Sequence, residues 1–301
     1  MSDYLAPNNS VSRRGLLGGA LGAAALAAMT TPKLAQADDD PNWKIKNGRI
    51  NQSLCSWNFK MPLEELCKIA VQFGCKSVEL LQADSYPTLK KYGLTCAMTG
   101  SHGFAKGFNR VENHEFCLDR LTKSINAAAD FGSPNVITFS GFREKLSDEE
   151  GIKNCVDGLK KIMPLAEEKK INVCFEVLNS RVPIEMKGHP DYQGDTMEWA
   201  VQVCEKVGSP RMKILFDIYH IQIMEGDVIT RIKKFKDYIA HYHTAGNPGR
   251  NELDDTQEIN YPPIMKTIVE TGYTGFVGQE FICKYEDKVS SIRQAVKLCD
   301  V

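Results

Sequence analysis

The chain has 301 residues, 43% of them hydrophobic and 25% charged, with a net charge of −1. Those proportions fit an ordinary globular protein with enough apolar material for one large α/β domain. The near-zero charge excludes a basic field for nucleic acid or an anionic membrane surface.

The first 37 residues read as a targeting segment. Ser12-Arg13-Arg14-Gly15-Leu16-Leu17 is a twin-arginine pattern, a Gly/Ala-rich apolar run follows from Gly15 to Met29, and Ala35-Gln36-Ala37 supplies a small-residue cleavage site. The expectation is a twin-arginine export signal over 1–37, a periplasmic destination and a mature domain over 38–301. The apolar run is too short and too weakly hydrophobic for a membrane span. Asp38-Asp39-Asp40-Pro41-Asn42 reads as a solvated linker.

Eight strand candidates follow, near 50–55, 76–81, 94–98, 135–140, 172–178, 212–218, 238–244 and 275–281. Most are rich in β-branched or aromatic residues and lack polar alternation, as strands buried on both faces do. Amphipathic helical patterns separate them. The clearest opens at Ser147-Asp148-Glu149-Glu150, a capping box with acids in the first turn, and continues through Ile152, Val156, Leu159 and Ile162 or Met163. Pro164 is expected to kink this helix. Glycines 74, 93, 132, 208 and 272 stand where helix C-caps would feed the next strand. Strand and helix alternating through eight units predict a single (β/α)8 TIM barrel, whose chemistry lies at the carboxyl ends of its strands. The Pro- and Gly-containing segment 179–194 is expected to form an active-site loop. The ten cysteines include no C-x-x-C pair and fall mostly in apolar runs, which predicts buried thiols and no cysteine-based zinc site.

Four residues sit at the ends of strand candidates: Glu176 after NVCF, Asp217 after MKILF, His243 in IAHYH and Glu280 in FVGQE. A carboxylate at the end of an apolar run needs compensation, and a cation supplies it. Three carboxylates and one imidazole on one barrel rim predict a single divalent metal ion, Mn²⁺ or Mg²⁺ foremost, with Co²⁺ and Zn²⁺ also suited to such donors. Strand alternation puts His241 on the same face as His243. His241 lies deeper and reads as a packed or supporting histidine. Candidates for contacts with substrate are His220 just past Asp217, Arg250 in the loop after the seventh strand candidate, His102 between two glycines after the third, and Trp57 after the first. Glu185 and His189 in the long loop are further candidates.

The segments FEVLNSR (175–181), FDIYHIQIMEGD (216–227), AHYHTAGNPGRNELDDTQEINYP (240–262) and GYTGFVGQEF (272–281) resemble the sugar isomerase/epimerase superfamily with the xylose isomerase-like barrel. Within that superfamily, the chain is similar to hydroxypyruvate isomerase-like proteins. The resemblance implies that Glu176, Asp217, His243 and Glu280 hold the metal and that Glu176 and Glu280 also transfer protons. It implies substrate contacts for His220 and Arg250. The activity implied is isomerisation of a small α-hydroxycarbonyl or sugar substrate through a metal-stabilised enediolate. One position departs: some hydroxypyruvate isomerases carry glutamine where His243 stands, and ketose epimerases carry histidine. An exported ketose 3-epimerase, a keto-sugar lyase or hydratase, and a metal-bound carbohydrate-binding barrel are therefore alternatives. An endonuclease on the same barrel would want a histidine-rich multi-zinc site, which six histidines in all do not favour. The partner expected is a small molecule, with no nucleic acid and no integral span in the mature chain; a homo-oligomer is left open.

Overall fold

Seven parallel strands form one sheet in a computed structural model that describes residues 40–301. The export segment expected over 1–37 lies outside the described residues. The strands are β1 (Asn51–Cys55), β2 (Ser77–Glu79), β3 (Asn135–Thr138), β4 (Asn172–Glu176), β5 (Met212–Asp217), β6 (Ile239–Thr244) and β7 (Phe276–Gln279). Their order is β2-β1-β7-β6-β5-β4-β3. The open edges β2 and β3 meet through residues 95–99. Thr95 bridges to Ser77, and Thr99 bridges to both Leu81 and Val136, all in parallel. Backbone N–H groups of Leu80 and Ile137 donate to Met98 and Thr99 carbonyls at 2.7 and 3.1 Å. The segment 94–98 thus occupies the eighth barrel position, as expected, but through isolated bridges rather than a regular strand.

Ten α-helices surround the strands among the described residues. They are α1 (Leu63–Phe73), α2 (Tyr86–Lys91), α3 (His114–Phe131), α4 (Asp148–Leu159), α5 (Met163–Lys169), α6 (Met197–Val207), α7 (Ile218–Met224), α8 (Val228–Phe235), α9 (Tyr261–Glu270) and α10 (Lys288–Leu298). No helix among these residues is long and apolar enough to cross a membrane. Gly74, Gly132 and Gly208 close α1, α3 and α6 in the left-handed region, a conformation that glycine adopts without steric cost. Ser147 caps α4, its Oγ accepting from the Glu150 N–H at 3.2 Å. Pro164 does not kink this helix. The chain turns after Leu159, and Pro164 stands in the first turn of the separate helix α5, where its missing N–H costs nothing.

Strand parity divides the apolar residues into two cores. Val173, Phe175, Ile214, Phe216, Tyr242 and Val277 face outward into the main core beneath the helices. Cys174 and Leu215 face inward and join a smaller cluster with Met98, Ile137, Phe139, Leu178 and Tyr192. Side chains two residues further along the same inward rows reach the carboxyl rim. All ten cysteines are free, and all are buried except the half-buried Cys283.

Candidate active site

Parallel pairing sets the rim in register. Glu176 on β4 pairs with Leu215, Asp217 at the end of β5 pairs with His243 on β6, and His243 pairs with Gly278 on β7, two residues before Glu280. Inward rows on four adjacent strands therefore deliver four donors to one place. One ligand-type atom from each of Glu176, Asp217, His243 and Glu280 lies within 4.8 Å of all the others, and all four residues are buried. His243 Nδ1 is 3.0 Å from Glu280 Oε2 and 3.9 Å from Glu176 Oε1, yet it makes no hydrogen bond. No hydrogen bond from a described residue reaches the Glu176 carboxylate. Three buried acids around an unpartnered imidazole nitrogen suit a divalent cation, since converging lone pairs without protons between them are what such an ion needs.

The electrostatics separate the acids. Burial, reinforced by Glu280, pushes Glu176 well above the usual carboxylate range. Burial likewise raises Asp217 to about 6 against the pull of Arg250. Glu280 is buried too, but Arg250 and His243 outweigh that and hold it well below the usual range. For His243, burial opposes the charge while Glu280 and Cys55 raise its pKa well above the ordinary imidazole value.

Arg250 is the main counter-charge. It sits at φ 53° in the loop after β6, a left-handed conformation that is costly for a residue with a side chain. Its Nη2 donates to Glu280 Oε2 at 2.5 Å and to Asp217 Oδ2 at 3.3 Å, and its Nη1 donates to the Met186 carbonyl at 2.7 Å. Trp57 lies under the guanidinium, 5.2 Å from ring centroid to Cζ, and its indole N–H donates to Glu280 Oε1 at 2.8 Å. Trp57 thus orients a carboxylate as well as lining the cavity.

The long loop after β4 folds over the rim through Asn179. Its Oδ1 accepts from the Val182 N–H, its Nδ2 donates to the Lys187 carbonyl, and its own carbonyl accepts from the His189 N–H. The Asn179 N–H also donates to His220 Nδ1 at 3.1 Å, which places the proton of the neutral His220 ring on Nε2. That atom is buried without a hydrogen bond, 3.5 Å from Asp217 Oδ2. Burial and Arg250 lower the His220 pKa well below the ordinary value, so the ring stays neutral. His189 lines the cavity with its ring 6.0 Å from that of His220, whereas Glu185 is exposed and outside the lining.

His102 is not brought to the cavity wall. Its Nδ1 is 2.9 and 2.8 Å from the Gly103 and Lys106 carbonyls, and its Nε2 is 3.0 Å from Thr138 Oγ1, so both ring nitrogens serve to hold its own loop. Sequence reasoning missed Glu79, which ends β2 fully buried and touches both His241 and His243. Its signal was an acid after Ser77-Val78, the same arrangement that marked Glu176.

The cavity beside the four donors has a volume of about 250 Å³. Trp57, Arg250, Glu176, Glu280 and His189 form its polar side, and Leu80, Phe104, Ile137, Phe139, Leu178 and Met186 are among the residues of its apolar side.

The chain is similar to known proteins in sequence and in fold. The sequence profile of the family described as xylose isomerase-like TIM barrel matches residues 67–299. A human protein named provisionally as a hydroxypyruvate isomerase is 26% identical over 177 residues, 57% of this chain and 61% of that one. The 2-oxo-tetronate isomerase of Cupriavidus necator and the hydroxypyruvate isomerase of Escherichia coli are each 36% identical over 99 residues, 33% of this chain and 38% of theirs. The matches thus span less than two thirds of these relatives. Among solved structures, an AP endonuclease of family 2 from Brucella melitensis has a TM-score of 0.70 at 24% identity, covering 81% of this chain and 97% of that one. The apo 3-keto-D-glucoside 4-epimerase of E. coli has a TM-score of 0.70 at 16% identity, covering 83% and 98%. At these identities the two structures speak to the fold alone.

Proposed function

The chain belongs to the xylose isomerase-like TIM barrel family, and from that premise we propose that it is a divalent-metal-dependent isomerase of a small α-hydroxycarbonyl or sugar substrate. The observation that carries this reading is the convergence of Glu176, Asp217, His243 and Glu280 on one buried point beside a cavity. These four residues would hold the ion. When bound, it would supply Lewis-acid polarisation of a substrate carbonyl. Arg250 and Trp57 fix the Glu280 carboxylate, while Glu176 carries no hydrogen bond that would restrain it. Of these two acids, one removes a proton from carbon next to the carbonyl and the other returns one. Return to the former carbonyl carbon, with the hydroxyl proton passing to the former carbonyl oxygen, isomerises an aldose to a ketose or the reverse. Return to the opposite face of the same carbon epimerises. The apolar wall and the loop after β4 exclude water during the transfer.

A second reading, epimerisation of an uncharged ketose, is favoured by charge. Arg250 is the only lysine or arginine among the described residues lining the cavity, and it is committed to Glu280 and Asp217. Three carboxylates, one guanidinium and one divalent ion sum to zero, so a substrate carboxylate finds no spare positive charge. The test is a panel of uncharged ketoses and of 2-oxo and hydroxy-oxo acids, incubated in D₂O with Mn²⁺. Deuterium is expected at a carbon next to the carbonyl, and the product identifies isomer or epimer. No exchange across the panel, from a protein that binds Mn²⁺, would defeat the proposed chemistry.

A further inference from the structure

Inside the barrel, just under the four converging side chains, lies a buried acid whose side-chain contacts among the described residues include two histidines and no lysine or arginine. Glu79 is fully buried. Its Oε1 lies 2.8 Å from His241 Nε2 and 2.7 Å from His243 Nε2, both within hydrogen-bond distance, and Cys55 Sγ donates to the same oxygen at 3.6 Å. Glu79 Oε2 has no hydrogen bond. A carboxylate in such a place persists only if its neighbours donate protons to it. His243 must therefore carry a proton on Nε2. The opposite nitrogen, Nδ1, is the one that faces Glu176 and Glu280 without a hydrogen bond.

Gly278 supports the same arrangement from the neighbouring strand. A Cβ at that position would stand 2.5 Å from Glu79 Oε1 and 2.9 Å from His243 Cδ2. The glycine leaves the space in which the acid and the imidazole pair.

We propose that Glu79 is a positioning residue that orients the His243 ring and fixes its tautomer, making Nδ1 the metal-binding atom. The proposal rests on the reading of the four rim residues as a metal centre. Outer carboxylates of this kind hold a ligating imidazole in place and increase its basicity. His241 shares the Glu79 oxygen but stands at 89° to His243, with ring centroids 5.0 Å apart, and belongs to the support rather than to the centre.

The experiment is Mn²⁺ titration by calorimetry of the purified protein and of Glu79→Gln and His241→Gln, with melting curves of the metal-free forms to identify any variant that does not fold. Glu79→Gln is expected to weaken Mn²⁺ binding by about 10–100-fold, and His241→Gln by clearly less. Unchanged binding in Glu79→Gln, or equal losses in both variants, would overturn the proposal by showing no role or a general packing defect. Absence of Mn²⁺ binding by the unsubstituted protein would instead remove the metal centre itself, and this proposal with it. Histidine ¹⁵N spectra of the unsubstituted Zn²⁺-loaded protein need no variant to fold: a proton on Nε2 and the metal on Nδ1 of His243 are expected, and the reverse assignment refutes the proposal.

Discussion

Glu176 and Glu280 are the same residue type a short distance apart, yet their surroundings treat them differently. Glu280 receives hydrogen bonds from Trp57 and Arg250, whereas Glu176 receives none from the described residues. That asymmetry fits the proposed division of labour, in which one carboxyl takes a proton from the substrate and the other returns one, since each must then favour a different protonation state. Glu176→Gln and Glu280→Gln keep the volume and remove the base. Each is expected to lower turnover by about 10²–10⁴-fold, read as initial rates on whichever substrate shows deuterium exchange. Near-normal rates in both variants would exclude them as the proton-transferring pair. The four rim residues were legible in the sequence because each polar group stands at the end of a strand-like run, where an uncompensated charge is costly. Glu79 has a similar setting, but the lead before it is only Ser77-Val78, against Val173-Cys174-Phe175 before Glu176, so its signal is weaker. His102 is expected in the site from sequence but stands off the cavity lining. Its two flanking glycines suggested a site loop, and nothing in the sequence disclosed that Lys106 and Thr138 satisfy its ring.

The start of α4 and the strand positions were the most legible elements, because each rests on local chemistry. Ser147 illustrates this: an extended residue ahead of three acids presents its hydroxyl to the Glu150 N–H. Ser147→Ala removes that acceptor and is expected to lower stability by about 1 kcal/mol, measured as a shift of the urea midpoint at unchanged slope. No shift would mean that α4 draws its start from packing against its neighbours alone. Less was legible where tertiary contacts decide. The segment 94–98 looks like its neighbours in sequence, but β2 offers it only three residues of regular strand, so it pairs by single bridges. The turn between α4 and α5 was hidden because Ile162 and Met163 continue the apolar spacing of α4 while the backbone has already broken. The geometry of the 179–194 loop draws on Asn179, which makes contacts within the loop and across to His220, and on Arg250 and Tyr219 reaching its carbonyls, none of which spacing alone reveals.

Across the whole molecule, closure of the barrel converts local burial into a linkage between fold, pH and the proposed metal. The ends of the described chain join at the bottom: Asp300 accepts from the backbone N–H groups of Lys46, Asn47 and Gly48, while β1 pairs with β7. The rim is thus held by a closed ring, and the cost of crowding its acids is borne by the entire fold. Asp217 has a folded pKa of about 6, against about 3.9 for an unperturbed aspartate. Between those values the folded protein binds more protons than the unfolded chain, so the Asp217 contribution to stability is greatest at low pH and is lost as pH rises toward 6. Glu176 acts in the same direction, and Glu280 in the opposite one. A divalent ion held there as proposed would bind the ionised acids and cancel the penalty that Asp217 and Glu176 impose. Below pH 6 it must first displace their protons. The increase in melting temperature caused by a fixed Mn²⁺ concentration is therefore expected to grow as pH rises from 5 to 7, and to disappear when EDTA removes the ion. At saturation a hundredfold above the dissociation constant, the stabilisation would be about 2.7 kcal/mol. A Mn²⁺ effect that is the same at both pH values would mean that the ion binds somewhere other than among these carboxylates.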